Sequence, residues 1–107
     1  MRDELLPGTL DLLILKALTA APMHGYAIAQ HLQQISREVL RVEEGSLYPA
    51  LQRLQANGWV KSAWRQTPNK RRARYYTLTA AGHKQLGEEV NAYQRMALAI
   101  ARVLRTT

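Results

Sequence analysis

The 107-residue chain is 47% hydrophobic and has no cysteine, which places it in the size range of one globular domain and excludes an intrinsically disordered composition, a disulfide scaffold and a thiolate metal site. Its formal net charge of +7 favours a polyanionic partner. A domain this small buries a modest share of its surface, so without a covalent cross-link a second chain is expected to complete the core.

Residues 1–8 lack the basic start, apolar middle and small-residue cleavage site of a secretory signal, and with no cysteine the expected compartment is the reducing cytoplasm. The apolar run over 10–21 is interrupted by Asp11 and Lys16 and is too short for a hydrocarbon core of about 30 Å, so no membrane partner is expected. That run reads as a first helix over 9–21, with Thr9 as N-cap and Pro22 beyond its end. Leu10, Leu13, Ile14, Ala17 and Leu18 share one face, while Leu12 and Leu15 lie off it, so the helix should pack on two sides.

A second helix is predicted over 24–35, opened by His24, with Ile28, Leu32 and Ile35 as its inward stripe and Tyr26 and Gln30 around it. After a linker over 36–44, a third helix runs from Gly45 or Ser46 to Ala56, stopped by Asn57-Gly58. Pro49 then falls in or beside the first turn, where a backbone N–H has no helical partner to lose. Residues 59–65 and 73–78 are rich in aromatic and β-branched side chains and flank a stretch with Pro68 and Asn69, which is a hairpin with a basic tip. A short strand before the hairpin is compatible with this order. Thr79 caps a last helix reaching about Leu104, Leu78 staples its first turn, and Gly82 and Gly87 loosen its start. The fold class is mainly α with a small β-hairpin wing: a winged helix-turn-helix over residues 1–79, plus a long C-terminal dimerisation helix over 80–107 that packs with the first helix.

In the third helix Leu47, Ala50, Leu51 and Leu54 recur at i, i+3, i+4 and i+7 and face the core. The opposite face presents Ser46, Tyr48, Pro49, Gln52, Arg53 and Gln55, a hydrogen-bonding set able to read base edges or grip phosphates, with Ser46 and Tyr48 at the end that enters a major groove. An ordinary solvated face is the competing reading for such a helix taken alone. Lys61, Arg65, Lys70, Arg71, Arg72 and Arg74 lie in a stretch without Asp or Glu. The tip residues Lys70, Arg71 and Arg72, with Arg74 behind them, are candidate phosphate contacts that add affinity more than sequence choice. Tyr26 on the second helix completes the candidate DNA-binding set.

Leu86, Val90, Tyr93, Ala97, Ile100 and Leu104 are spaced four, three, four, three, four, an a/d seam on the order of 28 Å long. With Leu10 and Ile14 of the first helix they form the expected homodimer interface, packing of the seam on the first helix of the same chain being the competing reading, and two-fold symmetry predicts a palindromic site on double-stranded DNA. Tyr93, Met96 and Trp64 are the candidate lining of a pocket for a small apolar or aromatic effector; plain core packing is the alternative there. His24, His31 and His83 are far apart and lack metal-ligand spacing or a nucleophile–base–acid arrangement, so neither metal, cofactor nor enzymatic activity is expected. An RNA-binding or architectural module using the same wing stays open from the residues alone.

Gly45-Ser46-Leu47-Tyr48-Pro49-Ala50-Leu51 followed by Leu54 and Gly58, and Arg74-Tyr75-Tyr76-Thr77-Leu78-Thr79 with Gly82, resemble the PadR family, as does His24-Gly25-Tyr26 with Ile28. The likeness covers nearly the whole chain, whose length is similar to the branch with one C-terminal helix. The resemblance implies a transcriptional regulator, usually a repressor, whose winged helix binds an operator and whose first and last helices pair in the dimer. It also implies that Tyr93 stands where drug-sensing relatives carry a pore-lining tryptophan.

Overall fold

Apolar residues all round the first helix make it the natural centre of the core. In the computed structural model, which describes residues 7–106, that helix is α1 (Pro7–Ala17), and it contacts each of the other three helices. Thr9 lies inside it and is not its cap. It also stops short of Ala21: the Thr19 and Ala20 N–H groups turn back to the Lys16 and Ala17 carbonyls at 3.1 Å, and the Thr19 hydroxyl donates to the Lys16 carbonyl at 2.7 Å. A threonine that bonds its own preceding turn competes with helix continuation.

The short strand β1 (Met23–His24) then leads into α2 (Gly25–Ile35). His24 caps α2, its ring Nδ1 accepting the Ala27 N–H at 3.2 Å. At the other end the Glu38 and Arg37 N–H groups return to the Gln33 and Gln34 carbonyls at 2.8 and 3.1 Å, a Schellman pair in which Arg37 and Glu38 take the left-handed conformation, φ +54° and +69°. A Gln33–Glu38 side-chain hydrogen bond stands where such motifs usually place an apolar contact. Ile28 and Leu32 are buried as predicted, but Ile35 is 68% exposed. The last turn of α2 runs past the body that would cover it, so the stripe ends one residue early.

The helix α3 (Glu44–Ala56) begins before the predicted Gly45 or Ser46, with the Ser46 and Leu47 N–H groups both bonding the Glu43 carbonyl at 3.0 Å. Pro49 is therefore inside the helix, not in its first turn, and the carbonyl deprived of a donor is that of Gly45. Both residues are on the exposed side, where water can replace the missing bond. Leu47, Ala50, Leu51 and Leu54 are fully buried. Gly58, at φ +78°, ends the helix in the left-handed conformation that glycine adopts without penalty.

The hairpin consists of β2 (Val60–Gln66) and β3 (Arg72–Leu78), in register from Val60↔Leu78 to Gln66↔Arg72. β3 also pairs β1, giving a three-stranded sheet in the order β1-β3-β2. At the tip a turn closes through Lys70 N–H to the Thr67 carbonyl (2.9 Å), and Lys70 sits at φ +61°, the place a bulged turn usually gives to Gly.

The final helix, α4 (Ala80–Arg105), has 26 residues and so extends about 39 Å. Thr79 caps it, accepting the Gly82 N–H at 3.0 Å. Gly82 does not loosen this start. A Cβ there would lie 2.0 Å from the Trp59 carbonyl oxygen and 2.8 Å from Leu78 Cδ1, so the glycine allows α4 to press on the hairpin base.

The core joins Leu10, Ile14, Leu15, Ala17 and Leu18 to Ile28 and Leu32, the four α3 residues, and Val60, Tyr76 and Leu78 of the sheet. Leu10 and Ile14 are thereby corrected as interface candidates: at 4% and 0% exposure they are enclosed by their own chain and leave almost nothing for another to touch. Among the described residues no helix is long and apolar enough to cross a membrane.

Candidate nucleic-acid interface

The outward face of α3 carries Ser46, Tyr48, Pro49, Gln52, Arg53 and Gln55, all exposed. Tyr48 is nonetheless anchored. Its ring lies over Gly25 at the start of α2, so closely that a Cβ at that glycine would be 2.9 Å from Cε1. Its hydroxyl end is also near Tyr76, whose phenol is pushed above the usual tyrosine value by burial, against an opposing pull from Arg74 and with a small further push from Tyr48. Tyr48 is thus a half-exposed, pre-set aromatic at the N-terminal half of α3.

Arg53 requires a correction. Its Nη2 lies 2.9 Å from Asp11 Oδ1 of α1, so the guanidinium is engaged in tying α3 to α1 and is not a free cation on the groove-facing side. Tyr26 is exposed on α2, its hydroxyl accepting from Gln30 Nε2 at 3.1 Å and its ring stacked on His24 with centroids 6.4 Å apart.

No Asp or Glu occurs over 45–87, so the fields of Lys61, Arg65, Lys70, Arg71, Arg72 and Arg74 add without local cancellation. Register places Ser62, Trp64 and Gln66 opposite Tyr76, Arg74 and Arg72 on one face of the hairpin. This face meets α3: the Ser62 hydroxyl donates to Gln55 Oε1 at 2.9 Å, and Arg74 Nε donates to Ser62 Oγ at 2.7 Å. The other face carries Arg65, its guanidinium 5.4 Å from the Tyr75 ring centre.

Trp64 is corrected as a pocket residue. It stands on the wing with the Arg72 and Arg74 guanidinium carbons 5.5 and 5.7 Å from its ring centre. Tyr93 and Met96 do share an open groove, but with Ala97, Ile100, Ala101 and Leu104 of their own helix. The α4 seam divides accordingly. Leu86 packs on the core and Val90 is half-buried, whereas Tyr93, Ile100 and Leu104 are 56%, 50% and 77% exposed.

Two residues escaped the sequence reading. Asp11 looked like a mere interruption of an apolar run, and its partner is 42 positions away. Ser62 could have been found from the hairpin register, which puts it on the same face as Arg74. Among the described residues no group of three His, Asp or Glu is placed to hold a metal.

Packed helices with an exposed polar second helix of the pair, a basic two-stranded wing beside it and a long terminal helix define a winged helix-turn-helix regulator. The chain belongs to the transcriptional regulator PadR-like family, whose profile matches residues 14–88. It is 40% identical over 65 residues to a transcriptional regulator of Mycobacterium tuberculosis, covering 61% of this chain and 60% of that one. It is also 40% identical over 86 residues to an uncharacterized transposon protein of Streptomyces fradiae, covering 80% of this chain but spanning only 23% of that protein. A solved transcriptional regulator from Clostridium thermocellum superposes with a TM-score of 0.81 at 28% identity, covering 89% of this chain and 92% of the other.

Proposed function

We propose that the protein binds double-stranded DNA as a homodimer and represses transcription from a palindromic operator. The observation that carries this reading is the continuity of the exposed polar face of α3 with a wing surface free of acidic residues, joined through Gln55, Ser62 and Arg74. In this reading Ser46, Tyr48, Pro49 and Gln52 approach base edges in the major groove, Lys70, Arg71, Arg72 and Arg74 take phosphates, and Tyr26 contacts the backbone at the edge of the same face. Residues 1–79 are the DNA-binding unit and 80–107 the dimerisation helix. The action is by binding and not by catalysis, and the compartment is the cytoplasm.

The exposed half of the α4 seam supports the dimer. Tyr93, Ala97, Ile100 and Leu104 line one side of a helix that outruns its own core, and water is a poor neighbour for so long an apolar strip. The groove holding Tyr93 and Met96 would then lie at the dimer centre, where a small apolar or aromatic effector could bind and release the DNA.

Selection of duplexes from a random library at a stated salt concentration, with the solution mass measured in parallel, tests this. Enrichment of a palindrome by a species of twice 12.1 kDa is expected. Binding without any enriched sequence would replace it with an architectural or RNA-binding role, and a monomer of undiminished affinity would remove the symmetric part.

A further inference from the structure

Trp59 and Trp64 lie on the same hairpin yet in unlike surroundings. Trp59, at the base, packs against the core. Trp64 is 56% exposed, and the groups beside it are the guanidinium ends of Arg72 and Arg74. Arg74 is itself held by Ser62, and Ser62 by Gln55 of α3. One line of contacts therefore runs from the outward face of α3 to an exposed indole with two cations beside it, in a stretch with no carboxylate to neutralise them.

Its position follows from strand geometry. Ser62 touches α3, and from there β2 advances about 3.4 Å per residue, placing Trp64 about 7 Å out and Gln66 about 14 Å out. A major groove is about 12 Å wide. With α3 in the groove, Trp64 reaches the sugar–phosphate ridge and the tip passes beyond it. A flat apolar ring suits the C–H surface of a sugar, and guanidinium groups lying against an aromatic face keep their N–H edges available for phosphate.

We propose that Trp64 is a DNA-contacting residue: its indole covers a deoxyribose on the ridge beside the recognition helix, Arg72 and Arg74 bind the phosphates flanking that sugar, and Ser62 and Gln55 are positioning residues that hold Arg74. The inference rests on the DNA-binding reading above. The contact is apolar and made to the backbone, so it adds affinity to every duplex, with no base preference and no counterion release of its own.

The test uses the full chain and the duplex that the wild-type protein selects, titrated over a salt series. Trp64→Ala is expected to weaken binding about tenfold, the scale of a lost aromatic stack, with the slope of log affinity on log salt unchanged, while Trp64→Phe keeps most of the affinity. Arg72→Gln and Arg74→Gln should each lower the slope by about one. Ser62→Ala should weaken binding only while Arg74 is present, a non-additivity that general loosening of the hairpin would not produce. Duplex addition should shift the tryptophan emission of the wild-type chain to the blue as the indole is covered, and leave that of Trp64→Phe unshifted. Wild-type affinity in a folded Trp64→Ala chain overturns the proposal. So does a slope reduced as much as in the arginine variants, which would assign the indole only to holding those side chains. A wild-type chain that binds no duplex at all overturns the underlying function instead.

Discussion

Gly82 and Gly87 stand in the same helix, and alanine at each should move stability in opposite directions. The Cβ of an alanine at 82 would meet the Trp59 carbonyl oxygen at 2.0 Å, and this neighbour is backbone that cannot rotate away. Restoring even a tight 3.0 Å contact requires the first turn of α4 to retreat by about 1 Å. That retreat stretches the Thr79 N–H bond to the Trp59 carbonyl, now 3.1 Å, and the Thr79 hydroxyl bond to the Gly58 carbonyl, now 2.7 Å, beyond or to the edge of useful length. Two weakened bonds at about 1 kcal/mol each and overpacking of about 1–3 kcal/mol outweigh the roughly 1 kcal/mol that alanine contributes through helix propensity. The net loss is about 2–4 kcal/mol. Among the described residues nothing lies within 4 Å of where a Cβ at Gly87 would stand, so Gly87→Ala should add up to about 1 kcal/mol. Urea unfolding followed by circular dichroism reads both, at one fixed protein concentration because the midpoint of the proposed dimer would depend on it. At a slope of roughly 1.5 kcal/mol per molar urea, the midpoint should fall by about 1.3–2.7 M for Gly82→Ala and rise by up to about 0.7 M for Gly87→Ala. Midpoints that move together would refute the reasoning.

Lys70→Gly relieves a left-handed lysine at φ +61°, so the hairpin should gain up to about 1 kcal/mol. Removal of its charge should reduce the salt slope of duplex binding by about one, and a destabilised variant would show that the turn is not strained. Asp11→Asn keeps its shape but removes the partner of Arg53. As the arginine is half exposed, the unfolding midpoint should drop by less than the equivalent of about 1 kcal/mol, while affinity for all duplexes rises as the guanidinium is freed; an unchanged affinity would mean that Arg53 never reaches DNA. Burial raises the Tyr76 phenol above its ordinary value of 10.0. The unfolded chain therefore ionises first, and stability should be level below about pH 10 and fall as pH climbs from there toward the folded-state value. Tyr76→Phe should flatten that alkaline decline in a pH series of unfolding curves, and a decline of the same depth in the variant would assign it to other groups.

Where one side chain's neighbours lie within a turn or two, local pattern was enough. The buried row of α3, the His24 and Thr79 caps, the Gly58 stop and the break between the two hairpin strands each depend on residues a few positions apart, and periodicity or turn chemistry reads them directly. The same holds for the exposed polar row Ser46, Tyr48, Pro49 and Gln52, which is simply the face left over once Leu47, Ala50, Leu51 and Leu54 turn inward. Boundaries fared less well: Thr9 and Gly45 had the chemistry of caps but lie inside helices, because the residues before them extend the hydrogen-bonding ladder.

By itself, then, the sequence determined a winged helix with a basic wing and an apolar seam on its last helix, since these rest on period, charge and turn residues. Only the tertiary structure decided which apolar surface α1 spends on its own chain, leaving Leu10 and Ile14 enclosed and Ile35 uncovered. It also decided that Arg53 answers Asp11, that Gly82 is a point of contact with Trp59, and that Trp64 belongs to the wing's arginines rather than to Tyr93 and Met96. Each of these depends on atoms brought together from distant positions, and a pattern read along one chain carries no distance between them.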